Sequence, residues 1–288
     1  MLNLIHVRSF VVVCDLGSYR SAGRELGVSP STILEHVRQL EEAVAAPLLI
    51  RRSARTHPTR QGEKLLPLGR ALLATARRAC AAVSSDGLKI ASASNIGIYM
   101  LQGPISAFES ATGIGVETWI GPNHEAVDRL ERGEADLAAL EWWDNRPGYD
   151  AVAWRREDLV VITSPSHRWA GREAIDVQEL LAEPLLAGER GSGTARVLRQ
   201  AIGSIADQLR VSENLGSTEA VKMAVRAGRG VSIVMKSSVV DEIEQGSLVE
   251  IRINHAKIYK DIWLVTHERL PKTAPAAACL SAFSHSLD

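Results

Sequence analysis

The sequence predicts an α+β multidomain protein in which a helical front part precedes an α/β rear part. Residues 1–87 show the helical period almost throughout, with apolar residues recurring three and four positions apart. From Leu88 onward, short β-like runs alternate with helical stretches, a pattern typical of mostly parallel α/β sheets. The chain has 288 residues, which is enough for about two domains of ordinary size.

Charge is divided between the same two parts of the chain. Residues 1–87 hold 12 Lys and Arg against 7 Asp and Glu, whereas residues 88–288 hold 21 against 27. The net charge of −1 for the whole chain conceals this division. A basic front part indicates a nucleic-acid partner for that part and a different partner for the acidic rear part.

Two short helices are predicted at the start of the chain. Asn3 is placed to cap the first, and Gly17 is placed to end it. Ser18 then caps a second helix over residues 19–26. Each helix carries apolar residues along one side, so both are expected to pack on a shared core.

A third helix follows the tight turn at Gly27-Val28. Ser29 caps it, and Pro30 lies in the first turn, where its missing N–H costs nothing. The buried line of this helix is predicted to be Ile33, Val37, Leu40 and Val44. Two short helices joined by a glycine-containing turn form a helix-turn-helix.

The outward face of the third helix is the candidate base-reading surface, because its side chains lie off the buried line at about 100° per residue. Arg38 suits guanine or a phosphate, Leu34 suits a thymine methyl, and Glu35 suits cytosine N4. Alternatively, Glu35 only pairs with Arg38 or Gln39 on a solvated face. The predicted DNA-binding residues of this helix are Ser29, Ser31, Thr32, Leu34, Glu35 and Arg38.

Residues 47–59 predict a small hairpin, or wing, and residues 59–87 predict a long helix. The basic cluster Arg51, Arg52, Arg55 and Arg60 is expected to contact phosphates, although such a cluster can also be a solvated face. Thr59 caps the long helix, whose first amides are expected to join the phosphate contact. Its Ala/Leu stripe favours pairing with a second copy over packing on its own domain alone.

In the rear part, strands and helices are predicted to alternate. The strand candidates are LKIASAS, GVETWIG, ADLAALEW, LVVITS, PLLAGE, LVEIRI and YKDIWLVTH. The helical stretches are 99–110, 123–133, 176–182, 194–204 and 217–228. Such sheets place ligands at the carboxyl ends of their strands.

Three polar turns in the rear part, at 92–97, 121–125 and 190–194, each follow a predicted strand and begin a helix. Helix amino termini suit anions, and three such turns are expected to converge on one cleft that binds a small carboxylate or an inorganic oxyanion. Alternatively, each turn only caps its helix. The predicted ligand-binding residues are Ser94, Asn95, Ile96, Gly97, Asn123, His124, Gly191, Ser192, Gly193, Thr194 and Thr218.

No catalytic residue, metal site or cofactor is predicted. The chain has no P-loop, G-x-S-x-G, H-E-x-x-H or nicotinamide-type G-x-G-x-x-G motif. Cys14, Cys80 and Cys279 lie far apart, which argues against a disulfide framework or a zinc site and fits a reducing cytoplasm. No window approaches the roughly 18 apolar residues of a membrane span, so no membrane partner is expected.

The front part resembles the amino-terminal domain of LysR-type transcriptional regulators. The matching positions, in the family's order and nearly its spacing, are Phe10, Gly17-Ser18, Ala22, Leu26, Val28-Ser29, Leu40-Glu41, Pro47-Leu48, Arg51, Thr59 and Gly62. The rear part is similar more loosely, as at STEAVKMAVRAGRGVSIV. The family usually has Gln, Ser and a basic residue where Pro30, Leu34 and Glu35 stand, so its base contacts do not transfer to those positions.

The resemblance implies three regions. Residues 1–58 would form a winged helix-turn-helix DNA-binding domain, and residues 59–87 a linker helix that dimerises. Residues 88–288 would form an effector-binding domain of two α/β subdomains, like a periplasmic binding protein. Subdomain I would cover about 88–160 and 266–288, and subdomain II about 161–265.

The implied function is that of a cytoplasmic transcription regulator rather than an enzyme. Its partners would be double-stranded DNA with an imperfect inverted repeat, a small-molecule effector and RNA polymerase, and it would be a homodimer or homotetramer. The competing hypothesis is an α/β solute-binding protein or enzyme with an accessory helical domain. A third hypothesis is a helix-turn-helix used only for protein contact.

Overall fold

The computed structural model describes residues 1–52, 55–84, 87–268, 270–271 and 273–285. The predicted wing residues 53–54, the end of the predicted linker at 85–86 and the chain end at 286–288 lie outside these residues. The chain forms two units, one of residues 1–85 with 131–134 and one of residues 86–130 with 135–288.

The front unit contains the predicted helices and hairpin. Its elements are α1 Leu4–Leu16, α2 Tyr19–Leu26, α3 Pro30–Val44, β1 Leu49–Arg52, β2 Arg55–Pro58 and α4 Arg60–Ser84. The predicted caps are confirmed: the Asn3 side chain accepts from the Ile5 amide, and Ser18 and Ser29 likewise cap α2 and α3. Local capping signals therefore define where these helices begin.

The core of the front unit lies between α1, α3 and the hairpin. It is formed by Val7, Phe10, Val11, Val37, Leu40 and Leu48, with a second group of Val13, Ala22 and Ile33. Ile33, Val37 and Leu40 are buried as predicted, whereas Val44 is only partly buried. The burial of α3 on one side fixes which of its side chains face outward.

The long helix α4 packs against its own unit along one side. Leu65, Leu66 and Leu73 pack against the core residues of α1 and α3. On the other side, Leu68 is 62% exposed and Leu72 is 40% exposed. Packing within the unit therefore accounts for part of the apolar stripe, and the exposed leucines remain available to a second copy.

Gly62 allows the loop after α3 to reach the first turn of α4. A Cβ at Gly62 would lie 2.1 Å from the carbonyl oxygen of Leu48, so no larger residue fits there. The predicted cap is confirmed, because the Gly62 amide donates to Thr59 Oγ1 at 3.0 Å. Thr59 Oγ1 also donates to the Pro47 carbonyl oxygen at 2.7 Å, which ties the hairpin entry to α4.

The rear unit alternates strands and helices as predicted. Its strands are β3 Leu88–Ala93, β4 Val116–Gly121, β5 Leu137–Leu140, β6 Tyr149–Thr163, β7 Ala174–Ile175, β8 Leu185–Ala187, β9 Val211–Asn214, β10 Ser232–Met235, β11 Val249–Ile253 and β12 Tyr259–His267. Its α-helices are α5 Ser94–Tyr99, α6 Gln102–Thr112, α7 Asn123–Glu131, α8 Thr194–Ile202, α9 Thr218–Arg226, α10 Val240–Glu244 and α11 Pro275–His285. Short 3-10 helices cover 177–182, 203–208 and 236–238.

Two long strands join the halves of the main sheet. The order is β4-β3-β5-β12-β6-β11-β7, and β10 also pairs with β6. The first part of β6, up to Asp158, pairs with β12, and its last part, from Leu159, pairs with β10 and β11. The chain thus enters the second half of the sheet near Leu159, and β12 pairs with the first half from Tyr259.

Several elements differ from the sequence predictions. The helix predicted over 99–110 corresponds to α6, which begins later, at Gln102, and a separate short helix, α5, precedes it over Ser94–Tyr99. The strand predicted at 159–164 is the end of β6, which begins ten residues earlier, at Tyr149. The helix predicted over 176–182 is a 3-10 helix over 177–182, and β7, β9 and β10 were not predicted as strands. Among the described residues, every helix is too short or too polar to cross a lipid bilayer.

Candidate functional site

The outward face of α3 is exposed as its periodicity predicts. Ile33 and Val37 are buried, whereas Leu34 is 55% exposed and Arg38 is exposed beside it. At the start of the helix, the Ser29 hydroxyl lies 2.7 Å from the hydroxyl of Ser31 and 2.8 Å from that of Thr32. An apolar side chain and a cluster of hydroxyls are therefore presented on one side of the unit.

Glu35 organises the polar groups of this face. Its carboxylate accepts from Arg38 Nε at 2.9 Å, from Arg38 Nη2 at 2.7 Å and from Gln39 Nε2 at 2.7 Å. The hydrogen bond from Arg38, followed by that from Gln39, lowers the pKa of Glu35 to about 2. Arg38 also pairs with Glu42, and the hydrogen bond to Glu35 raises the pKa of Arg38. In the structure without DNA, Glu35 is thus paired with Arg38 and Gln39, which is the alternative to a base contact.

The hairpin is attached to the helix-turn-helix by hydrogen bonds that involve its backbone amides. Glu41 Oε1 accepts from the amides of Leu48 at 2.7 Å and Leu49 at 3.1 Å. From β2, the Thr56 amide donates to the Gly17 carbonyl oxygen at 2.9 Å. These bonds hold β1 and β2 against α1 and α3, so the hairpin has a defined position beside the outward face.

The hairpin arginines are exposed beside that face. Arg51, Arg52 and Arg55 all have exposed side chains. A groove next to them is lined by Ser18, Arg20, Ser31, Leu34 and Arg51, among others. Ser18 and Arg20 were not predicted as binding residues. The signal that points to them is the amino terminus of α2, where Ser18 is the N-cap and free helix amides suit an anion.

In the rear unit, predicted ligand residues from three turns meet around Glu141. Asn95 Nδ2 donates to Glu141 Oε1 at 2.9 Å, and Thr218 Oγ1 donates to Asn95 Oδ1 at 2.7 Å. The Glu141 amide donates to Asn123 Oδ1 at 2.8 Å. The structure thus brings Asn95, Asn123 and Thr218 into one hydrogen-bonded group.

Lys260 links this group to the loop at 190–194. Its Nζ donates to Glu141 Oε2 at 2.5 Å and to the Ser192 carbonyl oxygen at 2.7 Å. The Lys260 and Glu141 side chains are only 1% and 3% exposed. Burial of a charge is unfavourable unless it is paired and hydrogen bonded, and both conditions are met here.

Neither Lys260 nor Glu141 is among the residues predicted to bind a ligand. A signal was present in and just before β12, where Ile258, Ile262 and Leu264 occupy alternate positions and are buried. The strand period places Lys260 on the same side as these apolar residues. An inward lysine in such a strand predicts a buried acidic partner, although not which one.

The loop at 190–194 is held by Trp142. Trp142 Nε1 donates to the Gly191 carbonyl oxygen at 2.8 Å. Gly193 has a φ of +77°, and a Cβ there would lie 2.7 Å from Trp142 Cδ1, so only glycine fits. This loop and Trp142 border a cavity of about 450 Å³, which Ser192 and Thr194 also line.

Other predicted ligand residues do not join the group. Ile96 and Gly97 are buried, and a Cβ at Gly97 would lie 2.7 Å from Ile120 Cγ1. His124 is exposed on α7 and makes no hydrogen bond to the group around Glu141 among the described residues. Ser94 begins α5 beside Asn95 and is half-buried.

Two cysteines are unsuited to nucleophilic chemistry. Burial raises the pKa of the Cys14 thiol to about 12, with the charge of Asp15 as the next cause. Burial likewise raises the pKa of the Cys279 thiol to about 12. Both thiols are therefore protonated near neutral pH. Among the residues that the structure describes, no group of His, Cys, Asp or Glu is arranged to hold a metal ion.

Two family models match nearly the whole chain. The model for "Bacterial regulatory helix-turn-helix protein, lysR family" matches residues 4–63, and that for "LysR substrate binding domain" matches residues 81–288. A putative HTH-type transcriptional regulator protein PtxE of Stutzerimonas stutzeri is 36% identical over 196 residues, covering 67% of this chain and 100% of that protein. A RuBisCO operon transcriptional regulator of Allochromatium vinosum is 27% identical over 289 residues, covering 98% and 95%.

Solved structures share the fold. A full-length OxyR variant from Pseudomonas aeruginosa matches with a TM-score of 0.66 at 18% identity, covering 99% of this chain and 98% of that chain. CbnR complexed with its target DNA matches with a TM-score of 0.58 at 20% identity, covering 99% and 100%. The regulatory domain of Synechocystis CcmR in complex with 2-PG matches with a TM-score of 0.62 at 22% identity, covering 69% and 96%.

Proposed function

The chain belongs to the LysR family of transcriptional regulators, and on that premise we propose that α3 and the β1–β2 hairpin bind double-stranded DNA under the control of a small anionic effector. The relatives are named as transcriptional regulators and not as enzymes, and the front unit has a family match of its own. The solute-binding or enzymatic alternative leaves residues 4–63 without a role.

The observation that carries the DNA proposal is the outward face of α3 beside an arginine-bearing hairpin. Ser31, Leu34, Glu35 and Arg38 are the side chains that would enter a major groove, while Arg51, Arg52 and Arg55 would contact phosphates. In this proposal the contribution of Thr59 is that of a cap, because its hydroxyl already bonds to Gly62 and Pro47.

Two copies would read an imperfect inverted repeat in successive major grooves. The exposed Leu68 and Leu72 of α4 support pairing of this helix with that of a second copy, as a homodimer or as part of a homotetramer. Contact with RNA polymerase would follow from binding beside a promoter, and access to chromosomal DNA implies a cytoplasmic location.

The effector would bind where the polar turns of the rear unit meet. Asn95, Thr218 and the 191–194 loop offer amides and hydroxyls, which suit a carboxylate or an oxyanion. The 2-PG complex of CcmR, a protein of the same fold, supports a small-molecule ligand of this unit. Binding would change the closure of the two α/β subdomains and so alter how the DNA-binding domains engage their repeat.

A gel-shift with the DNA upstream of the protein's own gene tests the DNA proposal. We expect a shifted complex at low NaCl that weakens steeply as NaCl rises, because phosphate contacts release counterions. No complex at low NaCl would refute DNA binding, and a complex that formed equally well at every NaCl concentration would refute the phosphate role of the hairpin.

A thermal-shift screen tests the effector proposal. Sulfate, phosphate, acetate, citrate and 2-PG are titrated into the full chain and into Ser94→Ala and Thr218→Ala. We expect at least one anion to raise Tm, by mass action on the native state, and the two substitutions to reduce that rise. If no anion raised Tm, or if both variants responded as the unmodified chain does, the anionic-effector proposal would be wrong.

A further inference from the structure

A pair of stacked imidazole rings joins α1 to α3 in the front unit. His6 on α1 and His36 on α3 have ring centroids 5.0 Å apart and ring planes inclined by 24°, which is direct ring contact. Both side chains are partly buried. The pair therefore lies in the contact between the helix that is proposed to enter the major groove and the helix that supports it.

Ser9 connects His36 to the interior of the unit. The Ser9 hydroxyl oxygen lies 2.8 Å from His36 Nδ1, and the Ser9 residue is 1% exposed. The next residue along each helix, Phe10 on α1 and Val37 on α3, belongs to the core. Because a buried hydroxyl requires a hydrogen-bond partner, the position of α3 on α1 depends on the orientation of the His36 ring.

The charges that act on His6 come from α3. Burial lowers the pKa of His6, the neighbouring His36 lowers it further, and the charge of Glu35 opposes both effects. Among the described residues, no charged group of α1, α2, α4 or the hairpin is a cause of this lowered pKa. Glu35 is paired with Arg38 and has a pKa of about 2, so it stays ionised over the pH range in which histidine titrates.

Protonation of both rings is unfavourable, because it places two positive charges in contact. One proton on the pair is partly offset by the negative charge of Glu35. A second proton favours separation of the rings and so loosens the contact of α3 with α1. Since folding lowers the pKa of His6, this contact is fully stable above the ordinary value of 6.5 and loses stability as pH falls below it.

We propose that Ser9, His36 and His6 form a proton-sensitive contact that positions α3 for DNA, so that acidification weakens recognition of the operator. This inference rests on the proposed DNA-binding role of α3. The two histidines are positioning residues, since they act through the packing of α3 on α1 and not through contact with DNA. The response to protons requires neither the effector nor the rear unit.

NMR titration of ¹³C-labelled histidine rings in the full chain tests the contact without DNA. We expect the signals of His6 and His36 to titrate in two coupled steps, with one step below the ordinary histidine pKa of 6.5. His6→Phe keeps an aromatic ring in the stack but takes up no proton, so it should reduce the titration of the pair to a single step. Two uncoupled titrations in the unmodified chain would contradict the contact.

Fluorescence anisotropy with the DNA upstream of the protein's own gene and with scrambled DNA, from about pH 8 to about pH 5.5, tests the consequence. We expect the preference for the upstream DNA to fall by roughly threefold to tenfold, since a pKa difference of one corresponds to a tenfold change in an equilibrium. His6→Phe and His36→Asn, with their folds checked by circular dichroism, should each abolish this fall. His255→Asn removes an exposed histidine of the rear unit and should leave the fall unchanged.

Two results would overturn the proposal: a preference that stays constant or rises on acidification, and a fall that persists in folded His6→Phe. Ser9→Ala removes the hydrogen bond but keeps both rings, so it should weaken the preference at every pH, and an unchanged preference would contradict the positioning role of Ser9. Absence of DNA binding at every pH would refute the proposed function instead, while the histidine titration would still decide whether the two rings are coupled.

Discussion

Glu35 accepts two hydrogen bonds from Arg38 on the outward face of α3, with 2.9 Å from Nε to Oε2 and 2.7 Å from Nη2 to Oε1. Arg38 is also paired with Glu42, so the face holds two carboxylates against one guanidinium. Such a face repels phosphates, and the attraction to DNA must come from the hairpin arginines. We therefore expect α3 to contribute more to the choice of DNA sequence than to the affinity for DNA.

Glu35→Gln should raise affinity for DNA of arbitrary sequence, on the order of 3-fold to 10-fold at low salt, because it removes a negative charge from the DNA-facing side. The preference for the operator over scrambled DNA should fall at the same time. Fluorescence anisotropy with both DNAs measures the two affinities. Glu25→Gln removes an exposed carboxylate from α2 and is the control. A uniform loss of affinity in Glu35→Gln would contradict this role.

Arg38→Ala should raise the pKa of Glu35 from about 2 toward its ordinary value of 4.5, because the hydrogen bond from Arg38 is the largest cause of the lowered value. The lowered pKa means that the pairing is fully present above pH 4.5 and is lost as pH falls through about 2. NMR titration of ¹³C-labelled glutamate carboxyls measures this. Gln39→Leu should raise the pKa of Glu35 by less. A larger rise in Gln39→Leu than in Arg38→Ala would show that Arg38 is not the main cause of the lowered pKa.

Arg51→Ala should weaken binding to all DNA sequences and reduce the slope of log K against log salt by about 1, as expected for the loss of one phosphate contact. Binding is measured from about 50 to about 300 mM NaCl, on the order of physiological ionic strength. Arg70→Ala is the comparison, since Arg70 belongs to α4 and is paired with Asp15. A change in base preference alone would show that Arg51 reads bases instead.

Lys260→Met should destabilise the rear unit by about 3–5 kcal/mol, because it leaves the buried Glu141 carboxylate without its cation. The double variant with Glu141→Leu should recover most of this loss, since both charges are then removed from the interior. Urea unfolding followed by tryptophan fluorescence measures both. Lys236→Met, at an exposed lysine, should change stability by less than about 0.5 kcal/mol. A double variant as unstable as Lys260→Met would contradict the pairing.

Gly62→Ala should destabilise the front unit by about 2 kcal/mol or more despite the better helix propensity of alanine, because its Cβ would meet the Leu48 carbonyl oxygen at 2.1 Å. Gly103→Ala, in α6 where no atom lies within 4 Å, should instead be neutral or stabilising by up to about 1 kcal/mol. Thermal melts followed by circular dichroism compare the two. Equal effects would show that the close approach at Gly62 is not tight.

Much of the front unit could be predicted from the sequence because its signals act over a few residues. Asn3, Ser18 and Ser29 cap the helices that follow them, and the periodicity of α3 separates Ile33 from Leu34. Most strands of the rear unit with compact apolar runs were also predicted, although β10 was not. The first half of β6 was missed because exposed and charged residues interrupt its apolar pattern, and β12 supplies the pairing that makes it a strand.

The sequence alone therefore determined the order of the elements in the front unit, the outward face of α3 and the family. Tertiary structure alone decided which polar groups meet. Glu141 and Lys260 are 119 residues apart, and Asn95 and Thr218 are 123 apart, so no local pattern indicates that either pair is in contact. Each pair forms because a charge or hydrogen-bonding group that is buried in the interior is unfavourable unless it is paired.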